Sequence, residues 1–270
     1  MRLPRLLSLC AAFVAAAAFA QAPGESYRPT PGQPGKDVVW IPSPDATVEK
    51  MLDMAGVTPR DYVVDLGSGD GRNVIAAAKR GARALGVEYN PDLVALARRA
   101  AVAAGVSDKA GFVQGDMFAA DVSRATVLIL FLIPDNLRKL APKFLGLKPG
   151  TRIVTNTYEI GGGWEPDGTD RTAPCTSWCV AFLYVVPAQA AGAWRLADGD
   201  WLMLEQSFQR ISGTLEIDGI DLPVEEGWLR GNEIAFTVNG VQYSGRVNGG
   251  TIEGVAKGRE ARKWRATLVR

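Results

Sequence analysis

Residues 63–71 read VVDLGSGDG, and no other stretch limits the possible fold as much. Positions 62–66 are apolar except for Asp65 and read as a buried strand. Glycines then follow at 67, 69 and 71. A strand that runs straight into alternate glycines makes a tight turn at the carboxyl edge of a parallel sheet, where open α/β sheets bind their ligands. Glycine permits positive φ and lets a ligand lie against the backbone without meeting a Cβ. A dinucleotide fingerprint needs a further glycine at position 72, and that position is Arg72. The frame is DxGxGxG, which suits a ligand lying across the loop with no diphosphate to hold.

The surrounding pattern agrees with a parallel sheet. Strands are expected at 62–66, 84–88, 110–114, 126–133, 151–155 and 179–186. Helices are expected at 72–80, at 91–104 with Asn90 as cap and Pro91 as first residue, and after Asp135, with Leu137, Leu140, Ala141 and Phe144 on one face. The unbroken apolar run TVLILFLI at 126–133 fits a central strand covered on both faces. Repeated units of this kind imply an α/β fold with a doubly wound, mostly parallel sheet over residues 37–196. The grammar then changes. Short alternating segments are separated by Asp218-Gly219, Gly231-Asn232, Asn239-Gly240 and Asn248-Gly249-Gly250, so residues 197–270 read as a small antiparallel β meander. Whether it closes on itself is not legible.

At the amino end, Arg2 and Arg5 precede an apolar stretch from Leu6 to Phe19, and Ala18-Phe19-Ala20 fits a cleavage site. Residues 1–20 are therefore expected to be a signal peptide, which makes the chain exported and periplasmic with no stable transmembrane span. The alternative is a membrane anchor formed by an uncleaved leader. Residues 21–36 are rich in Pro and Gly and read as a linker. Loss of the leader removes Cys10 and leaves Cys175 and Cys179, spaced for a disulfide in an oxidising compartment, with two free thiols as the alternative.

The chain has no histidine. That excludes Ser–His–Asp and Cys–His catalysis and histidine-ligated metal, so no metal site is expected. Without the leader the chain carries 28 basic against 29 acidic residues. Such a balance gives no electrostatic footprint for nucleic acid, which is not expected as a partner.

Two more strand ends carry acidic residues. Glu88 ends GVE and is followed by Tyr89, and Asp116 and Met117 follow the third strand in QGDMF. A carboxylate at the second strand end can take both hydroxyls of a ribose. At the third, Asp116 can accept from an adenine amino group while Met117 packs on the ring. With Asp65, these make three acidic strand ends in order.

On these residues the chain resembles the class I S-adenosylmethionine-dependent methyltransferases over about residues 37–160. More narrowly, VWIPSP at 39–44 followed by DLGSGDGRNVIAAAKRGARALGVEYNP resembles the branch containing the ATP synthase c-subunit lysine methyltransferases. The resemblance implies S-adenosyl-L-methionine as cofactor, held by Asp65, Gly67, Ser68, Gly69, Gly71, Glu88, Tyr89, Asp116 and Met117. Pro42, Ser43 and Pro44 would flank its methionine end. It also implies a methyl acceptor, a protein or a small molecule, with a protein lysine amine foremost. The fourth strand ends FLIPDN and lacks the Asn/Asp-Pro-Pro-Tyr sequence of enzymes that methylate bases.

Candidates for the acceptor side are Asp135 and Asn136 after the fourth strand, and Asn156, Tyr158 and Glu159 after the fifth. For each, a helix-capping or loop-ordering role is the competing reading. Trp164 and Trp178 lie in or near the glycine-rich segment GGGWEPDGTD, a candidate lid, and packing is the expected role of each. Export would separate the protein from the cytosolic cofactor pool. Two other readings therefore stay open: a non-catalytic nucleoside-binding module, and an interaction protein acting through the β meander.

Overall fold

The computed structural model describes residues 27–269, so the leader and its cleavage site lie outside the described residues. The α/β domain runs in order α1 (Asp45–Met54), β1 (Tyr62–Leu66), α2 (Arg72–Lys79), β2 (Arg83–Glu88), α3 (Pro91–Ala103), β3 (Ala110–Gln114), β4 (Val127–Leu130), α4 (Pro134–Leu145), β5 (Arg152–Asn156), β6 (Gly168–Arg171) and β7 (Val180–Val185). Its sheet has the order β3-β2-β1-β4-β5-β7-β6. The first five strands are parallel, and β7 runs antiparallel between β5 and β6.

Alternation along the central strands explains their apolar runs. Val63, Val127, Ile129 and Val154 pack on one face with α1, α2 and α3. Val64, Leu128, Leu130 and Ile153 pack on the other with α4. Both faces are dry, so no polar position is tolerated until the strands reach the carboxyl edge. Asn90 caps α3 as its sequence implies, its side chain accepting from Asp92 N at 2.9 Å. Asp135 does not cap α4: that helix starts at Pro134, and Asp135 instead pairs with Arg138 one turn on.

The remaining strands are β8 (Gly192–Leu196), β9 (Trp201–Ser207), β10 (Arg210–Ile217), β11 (Ile220–Pro223), β12 (Glu225–Arg230), β13 (Glu233–Val238), β14 (Val241–Asn248), β15 (Thr251–Lys257) and β16 (Ala261–Leu268). They form an antiparallel ring. β8 pairs with both β9 and β16, and β9 with β10. β11 and β12 lie end to end along one edge of β10. Counted as one bulged strand, they make the meander a closed eight-stave barrel, a width that side chains alone can fill. Phe236, Tyr243 and Trp264 do so at its centre: Phe236 and Tyr243 stack at 4.9 Å and Trp264 stands edge-on to both. Charged residues such as Glu205, Arg246 and Glu253 point outward. The Asn239-Gly240 turn has φ of 47° and 75°, the paired positive values of a tight hairpin.

Three expectations change. Residues 192–196, counted with the first domain on sequence, form the barrel's first strand, because β8 finds its partners in β9 and β16. The segment 27–36, read as a linker, is packed: Gly32 N donates to the Trp40 carbonyl at 2.8 Å and Trp40 N to the Gln33 carbonyl at 3.0 Å, making a strap over the carboxyl edge. Its Pro and Gly content removes regular structure, not contacts. The glycine-rich segment is no lid either. It builds the edge strand β6, and the Glu165 carbonyl accepts from Gln209 Nε2 of the barrel at 2.7 Å.

Candidate active site

The glycine loop hangs from β2. Gly67 N and Ser68 N both donate to the Val87 carbonyl, at 2.8 and 3.1 Å. Gly67, Gly69 and Gly71 have φ of 76°, 55° and 84°, which side-chain-bearing residues rarely adopt. Their roles differ. Gly67 and Gly69 line a cleft enclosing about 880 Å³ including its mouth. A Cβ on Gly69 would lie 2.6 Å from Trp40 Nε1, so the strap closes directly onto the loop. Gly71 starts α2 and stays outside the cleft. A Cβ there would strike Phe112 and Ala97, so its smallness serves helix–strand packing.

The expected acidic residues converge. Asp65, Ser68, Glu88, Tyr89, Asp116 and Met117 all line the cleft, with Pro42 and Ser43 at one end. Pro44 does not line it; Pro44 is the N-cap residue of α1. Glu88 accepts from Gly69 N and Asn90 N, each at 2.9 Å, one on each carboxylate oxygen. Each oxygen retains a lone pair for a hydroxyl donor. Asp116 Oδ1 accepts from Phe118 N at 2.8 Å and Oδ2 from Lys36 Nζ at 2.6 Å. That lysine holds the Asp116 carboxyl below the usual carboxylate range. It also lies 5.1 Å from the Tyr89 ring centre, so the strap engages the far end of the cleft too.

Asp65 is the unusual group. It is 2% exposed, and its Oδ2 accepts from Asn73 Nδ2 at 3.0 Å. Burial pushes its carboxyl up to about 7; Asn73 pulls against that, and the Glu88 and Asp70 charges add to it. Asp65 Oδ1, Ser68 Oγ and Asn73 Oδ1 are buried without any partner. Buried polar atoms are seldom left so; the Asp65 and Asn73 oxygens can accept, and the Ser68 hydroxyl can accept or donate. A cationic or multiply donating group fits them.

The acceptor-side candidates separate. Asn156 is fully buried, donates to Ser43 Oγ at 3.0 Å and accepts from Thr157 Oγ1 at 2.9 Å, so it fixes the cleft wall at Ser43. Asn136 is also buried and donates to the Asp37 carbonyl at 3.2 Å, tying the strap to α4. Asp135 is exposed and Glu159 also faces solvent; neither lines the cleft. Tyr158 is half-buried, with its ring 6.4 Å from that of Trp178. Trp164 is a core residue, stacked on Phe208 and edge-on to Tyr184. Cys175 and Cys179 are bonded to each other. Sequence reasoning missed Lys36, Trp40, Asn73 and Phe131, all of which line the cleft. Asn73 carried a local signal as a polar residue in the first turn after the glycines, and Trp40 lies within the VWIPSP stretch singled out above.

Comparisons with known proteins agree with this geometry. The family described as the ANTKMT methyltransferase domain matches residues 65–168. The chain is 38% identical over 152 residues to a protein-lysine N-methyltransferase of Saccharolobus islandicus, covering 55% of this chain and 94% of that one. It is 35% identical over 140 residues to the mouse lysine N-methyltransferase of the ATP synthase c-subunit, covering 52% of this chain and only 56% of the mouse protein. A solved structure described as an RNA methyltransferase from Salinibacter ruber, in complex with S-adenosyl-L-homocysteine, is 41% identical with a TM-score of 0.52, covering 56% of this chain and 96% of that one. With a three-acid cleft on a β3-β2-β1-β4-β5-β7-β6 sheet, and identity across nearly all of the archaeal enzyme, the chain belongs to the class I S-adenosylmethionine-dependent methyltransferases, on the branch that contains the protein-lysine N-methyltransferases.

Proposed function

We propose that this methyltransferase acts on a lysine amine of a protein, outside the cytoplasm. The observation that carries the binding chemistry is the set of unpartnered polar atoms at Asp65, Ser68 and Asn73, one strand from the Glu88 carboxylate. Their chemistry fits S-adenosylmethionine: an α-ammonium against Asp65 Oδ1, ribose hydroxyls on Glu88, and an adenine beside Met117. Bound there, the cofactor supplies a methyl group on a positively charged sulfur. Asp65, Glu88, Asp116 and Met117 would hold the cofactor, which would supply that methyl group to a neutral acceptor amine.

The chain's part is alignment and exclusion of water. Trp40 closes the strap over Gly69, Asn136 anchors that strap, and Asn156 holds Ser43 at the cleft wall. A lysine must arrive as the free amine, having lost its proton to solvent, and desolvation at the cleft favours that neutral form. No histidine is needed for such a step. The lysine acceptor is supported by the archaeal and mouse relatives, and the exported location by the leader pattern and the Cys175–Cys179 bond. The Salinibacter relative favours a second reading, with RNA as acceptor.

The test is to incubate the protein with methyl-labelled cofactor and, in separate reactions, an envelope protein extract and total RNA. Label recovered on lysine after digestion and mass spectrometry is the expected result. Label on RNA alone would replace the lysine reading with the second. S-adenosylhomocysteine binding without transfer to either would point to a non-catalytic binding module.

A further inference from the structure

Trp178 differs from every other large aromatic residue of the α/β domain. It is half-buried, and its backbone has φ of 60°, a left-handed conformation that a bulky side chain adopts at a cost. It sits in the short loop closed by Cys175 and Cys179. Its carbonyl accepts from Thr47 Oγ1 of α1 at 3.2 Å, which pins the loop beside the first domain's helix layer. Its ring faces two others, Phe131 at 5.5 Å and Tyr158 at 6.4 Å, tilted by 55° and 53°.

The three rings come from three different elements, just after β4, just after β5 and just before β7. All three are only partly buried. Phe131 also lines the cofactor cleft, so the cluster adjoins the reaction site. The barrel's Phe236, Tyr243 and Trp264 show what aromatic packing for its own sake looks like in this molecule: all three rings are buried, at 2–8% exposure. Partly open, mutually inclined aromatic faces at the edge of a cleft are suited to an alkylammonium cation, which the ring quadrupoles attract and the ring bodies desolvate.

The geometry points to Phe131, Tyr158 and Trp178 as the subsite that receives the acceptor's lysine side chain, with the Cys175–Cys179 bond holding Trp178 in position. This rests on the lysine reading given above. One consequence is that breaking the disulfide lowers acceptor affinity and leaves cofactor affinity untouched, so acceptor capture responds to the redox state of the compartment.

The test uses the full chain saturated with S-adenosylhomocysteine. The probe is Nα-acetyl-Nε-trimethyllysine amide, whose charge is fixed, beside its neutral isostere with carbon in place of the quaternary nitrogen. Calorimetry should show the cation binding about tenfold more tightly than the isostere. Trp178→Ala should remove that preference, and Trp178→Phe should restore most of it. The double change Cys175→Ser and Cys179→Ser should weaken the cation several-fold. Affinity for S-adenosylhomocysteine should stay constant throughout, which also shows that each variant is folded. Equal binding of cation and isostere, or a Trp178→Ala protein that keeps the preference, would overturn the subsite while leaving the cofactor assignment intact. Failure of the wild-type protein to bind S-adenosylhomocysteine would overturn both.

Discussion

In the barrel, each buried polar side-chain atom among the described residues has a partner. Trp194 Nε1 donates to the Ala190 carbonyl at 2.8 Å, Trp264 Nε1 to the Ser244 carbonyl at 3.1 Å, and Gln206 Nε2 to the Ala188 carbonyl at 2.9 Å. In the α/β domain five such atoms lack one, and three of these meet at the glycine loop. The barrel is consistent at every level, from hairpin chemistry to core filling, as expected of an element selected to stay folded. The first sheet is just as consistent along its strands; Trp164 Nε1 and Thr172 Oγ1 are isolated exceptions beside β6, and the other three gather at the carboxyl edge. Unsatisfied acceptors, a buried carboxyl with a raised pKa and three left-handed glycines share that edge. The contrast locates function without reference to any relative: the place where local rules fail together is where a ligand's donors would satisfy them.

The contrast breaks first if the barrel turns out to be coupled to the cleft. Phe236→Ala removes a ring that is 3% exposed and stacked on Tyr243. It should cost the barrel about 3–5 kcal/mol. S-adenosylhomocysteine affinity should stay within about twofold of wild type, since no barrel residue among those described lines the cleft. Denaturant unfolding followed by barrel tryptophan fluorescence, with calorimetry alongside, measures both. A parallel fall in affinity would mean the two regions form one cooperative unit.

Next in size is Glu88→Ala. Its carboxylate is the acceptor for two backbone N–H groups and the proposed acceptor for the ribose. Losing a charged acceptor should weaken S-adenosylhomocysteine by about 3 kcal/mol, roughly 100-fold. The barrel's unfolding should not change. Undiminished affinity in a folded Glu88→Ala protein would move the nucleoside elsewhere in the cleft.

What could be read from sequence follows the range of the forces involved. The glycine loop, the Asn90 cap and the Asn239-Gly240 hairpin are set by neighbours a few residues away, and they stand where their chemistry puts them. Strand ends at Asp65, Glu88 and Asp116 were legible because each βα unit repeats the same local grammar. Barrel closure was not. It depends on β8 pairing with β16, about 70 residues later in the chain, and no local pattern encodes that partner. The strap escaped notice because its contacts, Lys36 to Asp116 and Trp40 to Gly69, join a Pro-rich segment to loops far along the chain. Trp164 and Trp178 make the point within one residue type. Both lie in or near a glycine-rich stretch, yet one is sealed against Tyr184 and Phe208 and the other stands open beside Phe131.

The smallest expected effect bears most directly on the unsatisfied acceptors. In the unfolded chain Asp65 ionises near 3.8, whereas in the folded protein burial raises it to about 7. Between those values the folded state holds a proton that the unfolded state has released. Stability of the ligand-free protein should therefore fall as pH rises from about 4 to about 7 and change little from this group outside that window. Ligand binding should run the other way. An ammonium donated to Asp65 Oδ1 favours the ionised form, whose share rises from about one tenth at pH 6 to about nine tenths at pH 8. Affinity for S-adenosylhomocysteine should thus increase roughly tenfold over that interval. Asp65→Asn is the needed control, because it removes this slope and leaves any titration of the ligand itself. If wild type and Asp65→Asn share one pH profile, the carboxyl is not the ligand's partner. The unpartnered oxygen would then be a cost of the loop's geometry, and the contrast with the barrel would lose its functional meaning at that atom.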